Sequence, residues 1–203
     1  MPLMPRKQPF ADPAQTPAPM PTAASGEPVD RTLQRGIDLQ RQGRFREAEF
    51  CYQTVLRQQP KNAMALNLMG TLAIEAKQEA IAIDYMEKAV KLDPGNAIFR
   101  NNLGNAYNVK GDVEKARKHL RKAVELDGRL VEALCNLGRS CRAELKGDIA
   151  EGFYRRALDV DPRSLAALNG MGDVLIEIGR PADAVGCFEQ ALAIDKASVE
   201  ALA

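Results

Sequence analysis

The stretch Asn101–Asp127, NNLGNAYNVKGDVEKARKHLRKAVELD, decides the fold of this 203-residue chain. Its apolar residues recur at helical spacing, as Leu103 and Tyr107 do, one turn apart. Gly111 is typical of the residue just past a helix end, and Asp112 is a typical N-cap for the next helix. We therefore predict a helical hairpin, with a first helix over about 98–110 and a second over about 113–126.

The hairpin recurs every 34 residues without a gap, and four columns stay in register over five copies. The columns are Gly36, Gly70, Gly104, Gly138 and Gly172; Ala48, Ala82, Ala116, Ala150 and Ala184; Val55, Ala89, Ala123, Ala157 and Ala191; and Pro60, Pro94, Gly128, Pro162 and Lys196. Short side chains let two helices approach closely, so Gly104 and Ala116 should face each other across the hairpin. A lone hairpin cannot cover its apolar face, and we therefore predict that the hairpins stack.

This pattern resembles the tetratricopeptide repeat family, which has a 34-residue period and a Leu-Gly, Tyr, Ala, Phe and Pro signature. The resemblance implies an all-α fold, a right-handed superhelical solenoid of five helix-turn-helix units with about ten helices. The units would span 29–62, 63–96, 97–130, 131–164 and 165–198. Arg35 stands where leucine is usual, and the last unit lacks the closing proline. Arrays of bacterial tetratricopeptide proteins and of O-linked N-acetylglucosamine transferase-like enzymes are similar.

The two ends of the chain depart from the repeat. Residues 1–28 contain eight prolines, and we predict a disordered tail there because proline supports neither helix nor sheet. Residues 199–203 resemble the start of a sixth unit, with Leu202 in the column of Leu66. Repeat arrays usually end in a capping helix. We therefore expect a fragment of a longer protein, or an open end that another subunit covers, and self-association through that end is a hypothesis.

Composition argues against several classes of function. The net charge is +1, with 28 basic and 27 acidic residues, so neither nucleic acid nor a membrane is an expected partner. The four cysteines form no CxxC pair and there is one histidine, His119, so we predict no metal site. Isolated thiols indicate a reducing, cytoplasmic compartment. We find no catalytic constellation and no phosphate-binding loop, and we predict no enzyme activity and no cofactor within these residues.

In the resembled family the first helices line a concave groove. Its groove positions, which are the second, fifth, sixth, ninth, twelfth and thirteenth of each unit, carry seven asparagines and two arginines. These predicted groove residues are Asn67, Asn101, Asn102, Asn105, Asn108, Asn136, Arg139, Arg142 and Asn169. An amide offers donors and an acceptor that match a peptide backbone, as in the asparagine ladder of O-linked N-acetylglucosamine transferases. The alternative, that asparagine is merely common in this family, stays open.

Two functions fit these observations. The first is a protein–protein interaction scaffold, in a bacterial cytoplasm, that binds an extended polypeptide or peptide partner in the groove. The second is the substrate-recruiting N-terminal arm of a larger enzyme, such as a glycosyltransferase or sulfotransferase, whose catalytic domain would follow residue 203. The family's carboxylate clamp is not carried over, because Leu33 and Ile37 occupy its positions in the first unit. We interpret the basic run 115–122 as a solvated face balanced by Glu114 and Glu125.

Overall fold

The computed structural model describes residues 28–200, and the side chains of 28–196. In this part of the chain it contains ten α-helices and no strand. The helices are α1 (Val29–Arg41), α2 (Phe45–Gln58), α3 (Ala63–Glu75), α4 (Glu79–Leu92), α5 (Ala97–Lys110), α6 (Val113–Leu126), α7 (Val131–Ala143), α8 (Gly147–Val160), α9 (Leu165–Glu177) and α10 (Pro181–Glu200). The predicted all-α hairpins are confirmed. The bounds of α5 and α6 agree to within one residue with the predicted helices, 98–110 and 113–126. The predicted tail, apart from Pro28, lies outside the described residues.

The helices form two compact units, an N-terminal unit up to Pro94 and a C-terminal unit from Gly95. In the N-terminal unit, α1 packs on α2, α2 on α3, and α3 on α4. In the C-terminal unit the same sequential packing joins α5 through α10. There, α7 also contacts both α5 and α9. The first helices of the C-terminal unit therefore lie side by side in one layer.

Each hairpin is closed by a glycine on its first helix that lies against a large side chain on its second helix. A Cβ atom added to Gly104 would lie 2.7 Å from Leu120 Cγ and 3.1 Å from the Ala116 carbonyl oxygen. Only glycine permits this approach, and the predicted meeting of Gly104 and Ala116 is confirmed. The equivalent pairs are Gly36–Tyr52, Gly70–Met86, Gly138–Tyr154 and Gly172–Phe188.

The turn inside each hairpin contains one residue with a left-handed backbone. Gly111 has φ +86°, and the Asp112 side chain accepts a hydrogen bond from the Lys115 backbone N–H at 3.2 Å, so both predicted roles are confirmed. Gly43 and Gly179 occupy the same column and conformation. In the other two hairpins the column holds Lys77 (φ 56°) and Leu145 (φ 58°), which lack the freedom of glycine.

The last helix is longer than the other second helices. Helix α10 has 20 residues, whereas α8 ends at Val160, shortly before Pro162. Lys196 stands in the column of Pro162, and lysine does not interrupt a helix. The helix continues without a break past residue 198, where the last full unit was predicted to end. Residues 201–203 lie outside the described part, and the predicted start of a sixth unit at 199–203 stays a prediction.

Candidate functional site

The structure brings eight of the nine predicted groove residues together on three adjacent first helices of the C-terminal unit, and we call this surface the amide face. Helix α5 carries Asn101, Asn102, Asn105 and Asn108; α7 carries Asn136, Arg139 and Arg142; and α9 carries Asn169. The ninth residue, Asn67, lies on α3 of the N-terminal unit and is only 3% exposed. Asn67 is therefore buried, although it was predicted to be a groove residue.

A hydrogen-bond network joins α5 to α7 across the amide face. The Asn136 Nδ2 donates to Asn101 Oδ1 at 2.8 Å, and Arg139 Nη2 donates to Asn105 Oδ1 at 2.9 Å and to Asn136 Oδ1 at 2.7 Å. A longer bond of 3.4 Å runs from Asn101 Nδ2 to Asn102 Oδ1. Asn101 is 7% exposed, so its amide serves mainly to hold the two helices together. Asn101 was predicted to be a groove residue, and the structure leaves little of it accessible to a ligand.

The same network leaves several N–H donors of Arg139 and Asn105 without a hydrogen bond to the described residues. Arg139 is exposed, and within the described part of the chain only its Nη2 atom makes hydrogen bonds. A guanidinium group carries five N–H donors, so most of this group remains open to a ligand. Asn105 is half-buried and accepts from Arg139 through its oxygen, and its Nδ2 makes no hydrogen bond to the described residues. Asn169 on α9 is exposed.

Arg142 has a different environment from Arg139. Its Nη1 donates to Asp173 Oδ2 at 2.7 Å and its Nε donates to Glu177 Oε1 at 2.9 Å, which joins α7 to α9. Burial opposes the charge of the guanidinium, but the two carboxylates outweigh it and raise its pKa. Arg142 was predicted to face a ligand, and the structure instead shows it neutralised by its neighbours. The sequence could have predicted this neutralisation, because Asp173 and Glu177 occupy the ninth and thirteenth positions of the next unit, which are predicted groove positions.

Asn108 lies in the last turn of α5. Its Nδ2 atom is buried and makes no hydrogen bond to the described residues. The carbonyl oxygen of Asn108 accepts from the Gly111 N–H at 3.0 Å in the C-terminal turn of α5. The structure thus places Asn108 on the predicted helix, but not in the network that joins Asn101 to Arg139.

The basic run on α6 forms ion pairs of its own. Arg117 pairs with Glu114 on the same helix and with Glu144 after α7, and Lys122 pairs with Glu125 at 2.9 Å. The pairs with Glu114 and Glu125 agree with the interpretation of a balanced face. His119 stacks on Tyr107 with the ring centroids 5.7 Å apart. This contact agrees with a packing role for the histidine.

Two of the thiols, Cys135 and Cys141, are buried. Burial raises the pKa of both Cys135 and Cys141, so these thiols stay protonated and are poor nucleophiles. Among the described residues, no three His, Cys, Asp or Glu side chains are grouped so as to hold a metal ion. None of the described helices combines the length and the hydropathy that crossing a bilayer requires.

Comparison with solved structures supports the fold. The crystal structure of MamA has a TM-score of 0.67 and 24% identity, over 81% of this chain and 96% of that one. The tetratricopeptide protein TTC0263 of Thermus thermophilus has a TM-score of 0.73 and 19% identity, over 86% and 99%. YrrB has a TM-score of 0.60 and 21% identity, over 83% and 87%. At these identities the likeness concerns the fold alone.

Comparison with sequences identifies the family. A search of curated proteins finds no match. A tetratricopeptide repeat family model matches residues 33–97, 68–130 and 135–199, which together span most of the chain. These matches cover the same hairpins that the 34-residue columns delimit. The chain therefore belongs to the tetratricopeptide repeat family.

Proposed function

We propose that this protein is an interaction scaffold whose amide face binds an extended polypeptide, chiefly through the main chain of the partner. The observation that carries the proposal is the network of Asn101, Asn105, Asn136 and Arg139, which holds donors in place across two helices. A site whose side chains are already ordered loses less conformational entropy when a ligand binds.

The spacing of the helices suits an extended partner. Packed helices lie about 8–10 Å apart. An extended chain advances about 3.3–3.6 Å per residue, so each first helix would meet about every third residue of the partner. The open N–H groups of Arg139 and Asn105 match main-chain carbonyl oxygens. Recognition of this kind tolerates many partner sequences.

One structural relative supports the class of ligand. YrrB has been described as a tetratricopeptide protein with an unusual peptide-binding site. The two chains share the fold, and the present proposal extends a peptide-binding role to the amide face of this chain. No observation on the described residues favours the alternative role as an arm of a larger enzyme over this one.

Random twelve-residue peptides displayed on phage would provide the probe. Binding of a selected peptide to the whole chain is measured by fluorescence anisotropy. Arg139→Ala removes the exposed donor, and because a hydrogen bond to a charged group contributes about 1.5–3 kcal/mol, affinity should fall about 10- to 100-fold. Asn101 and Asn136 are poorer targets for this test, since they hold α5 to α7.

Arg121→Ala is the matched control, because Arg121 is an exposed arginine on the second helix α6. It should leave the affinity for the peptide unchanged. Thermal melting followed by circular dichroism checks that both variants remain folded. Equal affinity of Arg139→Ala and the unchanged chain, or an equal loss in the two variants, would exclude the proposed binding face.

A further inference from the structure

A depression of about 460 Å³ lies along helix α6 of the C-terminal unit, and we call it the basic pocket. One of its lining residues belongs to α5 and the other six belong to α6. They are Arg100, Glu114, Arg117, Lys118, Arg121, Lys122 and Glu125. Five cationic side chains and two carboxylates thus line the basic pocket. Its volume lies within the range of small-ligand sites, about 300–1,000 Å³.

We propose that the basic pocket binds a compact phosphate group, carried by a small molecule or by a phosphorylated side chain of a partner. Arginine and lysine are the usual protein ligands of phosphate, because guanidinium donates paired N–H groups and ammonium supplies a compact positive charge. The basic pocket lies mainly on a second helix, whereas the amide face is formed by first helices. The inference therefore goes beyond the proposed function and does not depend on it.

The cations of α6 are not a general feature of the repeat. At repeat positions 21, 22, 25 and 26, helix α6 carries Arg117, Lys118, Arg121 and Lys122. At the same four positions α8 carries two cations, α4 carries one, and α2 and α10 carry none. Since the 34-residue register places these positions alike on every second helix, the cluster is specific to the third unit.

Arg100 adds a cation to the basic pocket from a position that the other units use for core packing. Position four of the repeat holds leucine in three other units, and all three leucines are buried. They are Leu66, Leu134 and Leu168. Arg100 is half-buried and lines the basic pocket instead. Charged residues are seldom placed in a core for packing, so this departure from the repeat indicates a different use.

The two carboxylates of the pocket neutralise only part of the positive charge. Arg117 pairs with Glu114 and, outside the pocket lining, with Glu144, and Arg117 is only 16% exposed. Lys122 pairs with Glu125 at 2.9 Å. These pairs hold two of the cations in place at the wall of the pocket. A ligand would therefore meet side chains that are already ordered.

Lys118 and Arg121 remain available to an anion. Both side chains are exposed, and neither makes a hydrogen bond or an ion pair with a residue in the described part of the chain. Together they offer an ammonium and a guanidinium group one helical turn apart. The interpretation of a balanced face thus holds for Arg117 and Lys122 and does not extend to this pair.

A comparison with α4 shows what the cluster costs the helix. On α4, Asp84 at position 22 pairs with Lys88 at position 26, at 2.6 Å. On α6 the same two positions hold Lys118 and Lys122, so like charges lie one turn apart. Like charges at this spacing destabilise a helix. A bound phosphate group would relieve the repulsion, and we expect it to stabilise the folded chain.

The positions of the two carboxylates favour a compact anion over a long one. Glu114 and Glu125 are eleven residues apart on α6, which corresponds to about 16 Å at 1.5 Å per residue. The cations of α6 that line the pocket lie between them. A nucleic acid strand along the helix would place phosphates beside both carboxylates, whereas a single phosphate group would contact only the cations between them.

Arginine Nε–H signals of the whole chain, recorded by NMR at constant ionic strength, test the basic pocket. The probes are inorganic pyrophosphate, for a small-molecule source, and N-acetyl-O-phospho-L-serinamide, for a phosphorylated side chain. Both should shift the Arg121 signal saturably, and the tighter probe identifies the source. Shifts no larger than those in sodium chloride of equal ionic strength would overturn the inference. Tighter binding of a single-stranded oligonucleotide, per phosphate, than of pyrophosphate would also overturn it.

A pair of double variants tests the location with equal changes of charge. Lys118→Gln with Arg121→Gln should weaken binding of the tighter probe about tenfold or more, because two charge-assisted contacts are lost. The matched control is Arg129→Gln with Arg163→Gln, two exposed arginines in the turns before α7 and α9, and it should leave binding unchanged. An equal loss in both double variants would show that only the overall charge matters and would exclude the basic pocket.

Thermal unfolding gives a second readout that is separate from the NMR signals. The tighter probe should raise the midpoint of unfolding of the unchanged chain and of the control variant, but not of the Lys118 and Arg121 variant. That variant should itself be at least as stable as the unchanged chain, because it removes like charges from α6. An equal rise of the midpoint in all three proteins would overturn the inference. The phage-selected peptides carry no phosphate group, so failure of the amide face is observed with a different probe.

Discussion

The first-helix faces of the two units use the same repeat positions for different chemistry. In the N-terminal unit, position twelve of one repeat meets position nine of the next as Gln40 and Thr71, a neutral pair 3.2 Å apart. In the C-terminal unit the same two positions hold Arg142 and Asp173, an ion pair at 2.7 Å. The repeat thus determines where neighbouring helices meet, and the residue type determines what that contact can do.

The sixth position of the repeat shows the same divergence. It holds Leu68 on α3, Asn102 and Asn136 on the amide face, and Gly170 on α9. At Gly170 the space is occupied by Tyr154, which reaches across from the preceding helix. The same repeat position therefore provides an apolar side chain, an amide, or a glycine that leaves space for a neighbouring ring.

The largest effect is expected where a side chain is added to that gap. The Cβ atom of Gly170→Ala would lie 2.3 Å from Tyr154 Cε1 and 2.5 Å from Cζ. Because the ring is buried, the free energy of unfolding should fall by about 1–3 kcal/mol, as measured by urea denaturation. Gly152→Ala is the matched control on α8, where an added Cβ has no neighbour within 4 Å. It should stabilise the chain by up to about 1 kcal/mol, and equal results would contradict the packing of Tyr154.

The second largest effect on stability is expected in the turns inside the hairpins, which occur in both units. Leu145 in the C-terminal unit and Lys77 in the N-terminal unit have positive φ where the other three hairpins have glycine. A left-handed conformation costs a side-chain-bearing residue about 1–2 kcal/mol, so Leu145→Gly and Lys77→Gly should each raise the midpoint of thermal unfolding. Gly111→Ala should lower it. A destabilised Leu145→Gly would show that the leucine makes a contact of its own.

The neutral and ionic pairs should respond differently to salt. A double-mutant cycle on Arg142 and Asp173 should give a coupling of about 0.2–1 kcal/mol at low ionic strength, and a smaller value in concentrated salt. The cycle on Gln40 and Thr71 should give a coupling of similar size that salt leaves unchanged. The couplings are obtained from denaturant unfolding of the single and double alanine variants. Equal salt dependence would remove the contrast between the two units.

The smallest effect concerns two buried carboxyl groups at position twenty-one of their repeats. Glu49 in the N-terminal unit accepts from Gln53 at 2.8 Å, whereas Glu151 in the C-terminal unit pairs with Arg155 and Arg180. Burial raises the pKa of Glu49, so the folded state binds its proton more tightly than the unfolded state does. Stability contributed by Glu49 is therefore complete below its ordinary pKa and is lost as pH rises through the folded value.

It follows that Glu49→Gln should stabilise the chain near neutral pH and lose that advantage below a pH of about 4. Glu151→Gln breaks the pairing with two guanidinium groups and should destabilise the chain at neutral pH. The measurement is the free energy of unfolding of each variant at both pH values. A change of the same sign in the two variants at neutral pH would contradict the assigned environments.

Much of the architecture was predictable because it depends on local chemistry. Gly111 and Asp112 end one helix and begin the next through backbone conformation and capping, which involve only neighbouring residues. The 34-residue register of small residues predicted the close approach of Gly104 and Ala116. The same register placed eight of the predicted groove residues on three adjacent helices.

The partners of individual side chains were less predictable, because they belong to residues 31 to 35 positions away. Periodicity placed Arg139 and Arg142 on one helix, one turn apart. It did not show that Arg139 keeps N–H donors available beside Asn105, whereas two carboxylates neutralise the charge of Arg142.

By itself, therefore, the sequence determined the all-α class, the helices, their pairing into hairpins and the repeat positions that face the layer of first helices. These features follow from helix propensity, capping and recurring small residues, all of which act over one repeat or less. Only the tertiary structure decided which amides are used for helix contact and which donors remain open. Those outcomes depend on distances of a few ångströms between helices, and side-chain hydrogen bonds and packing change over such distances.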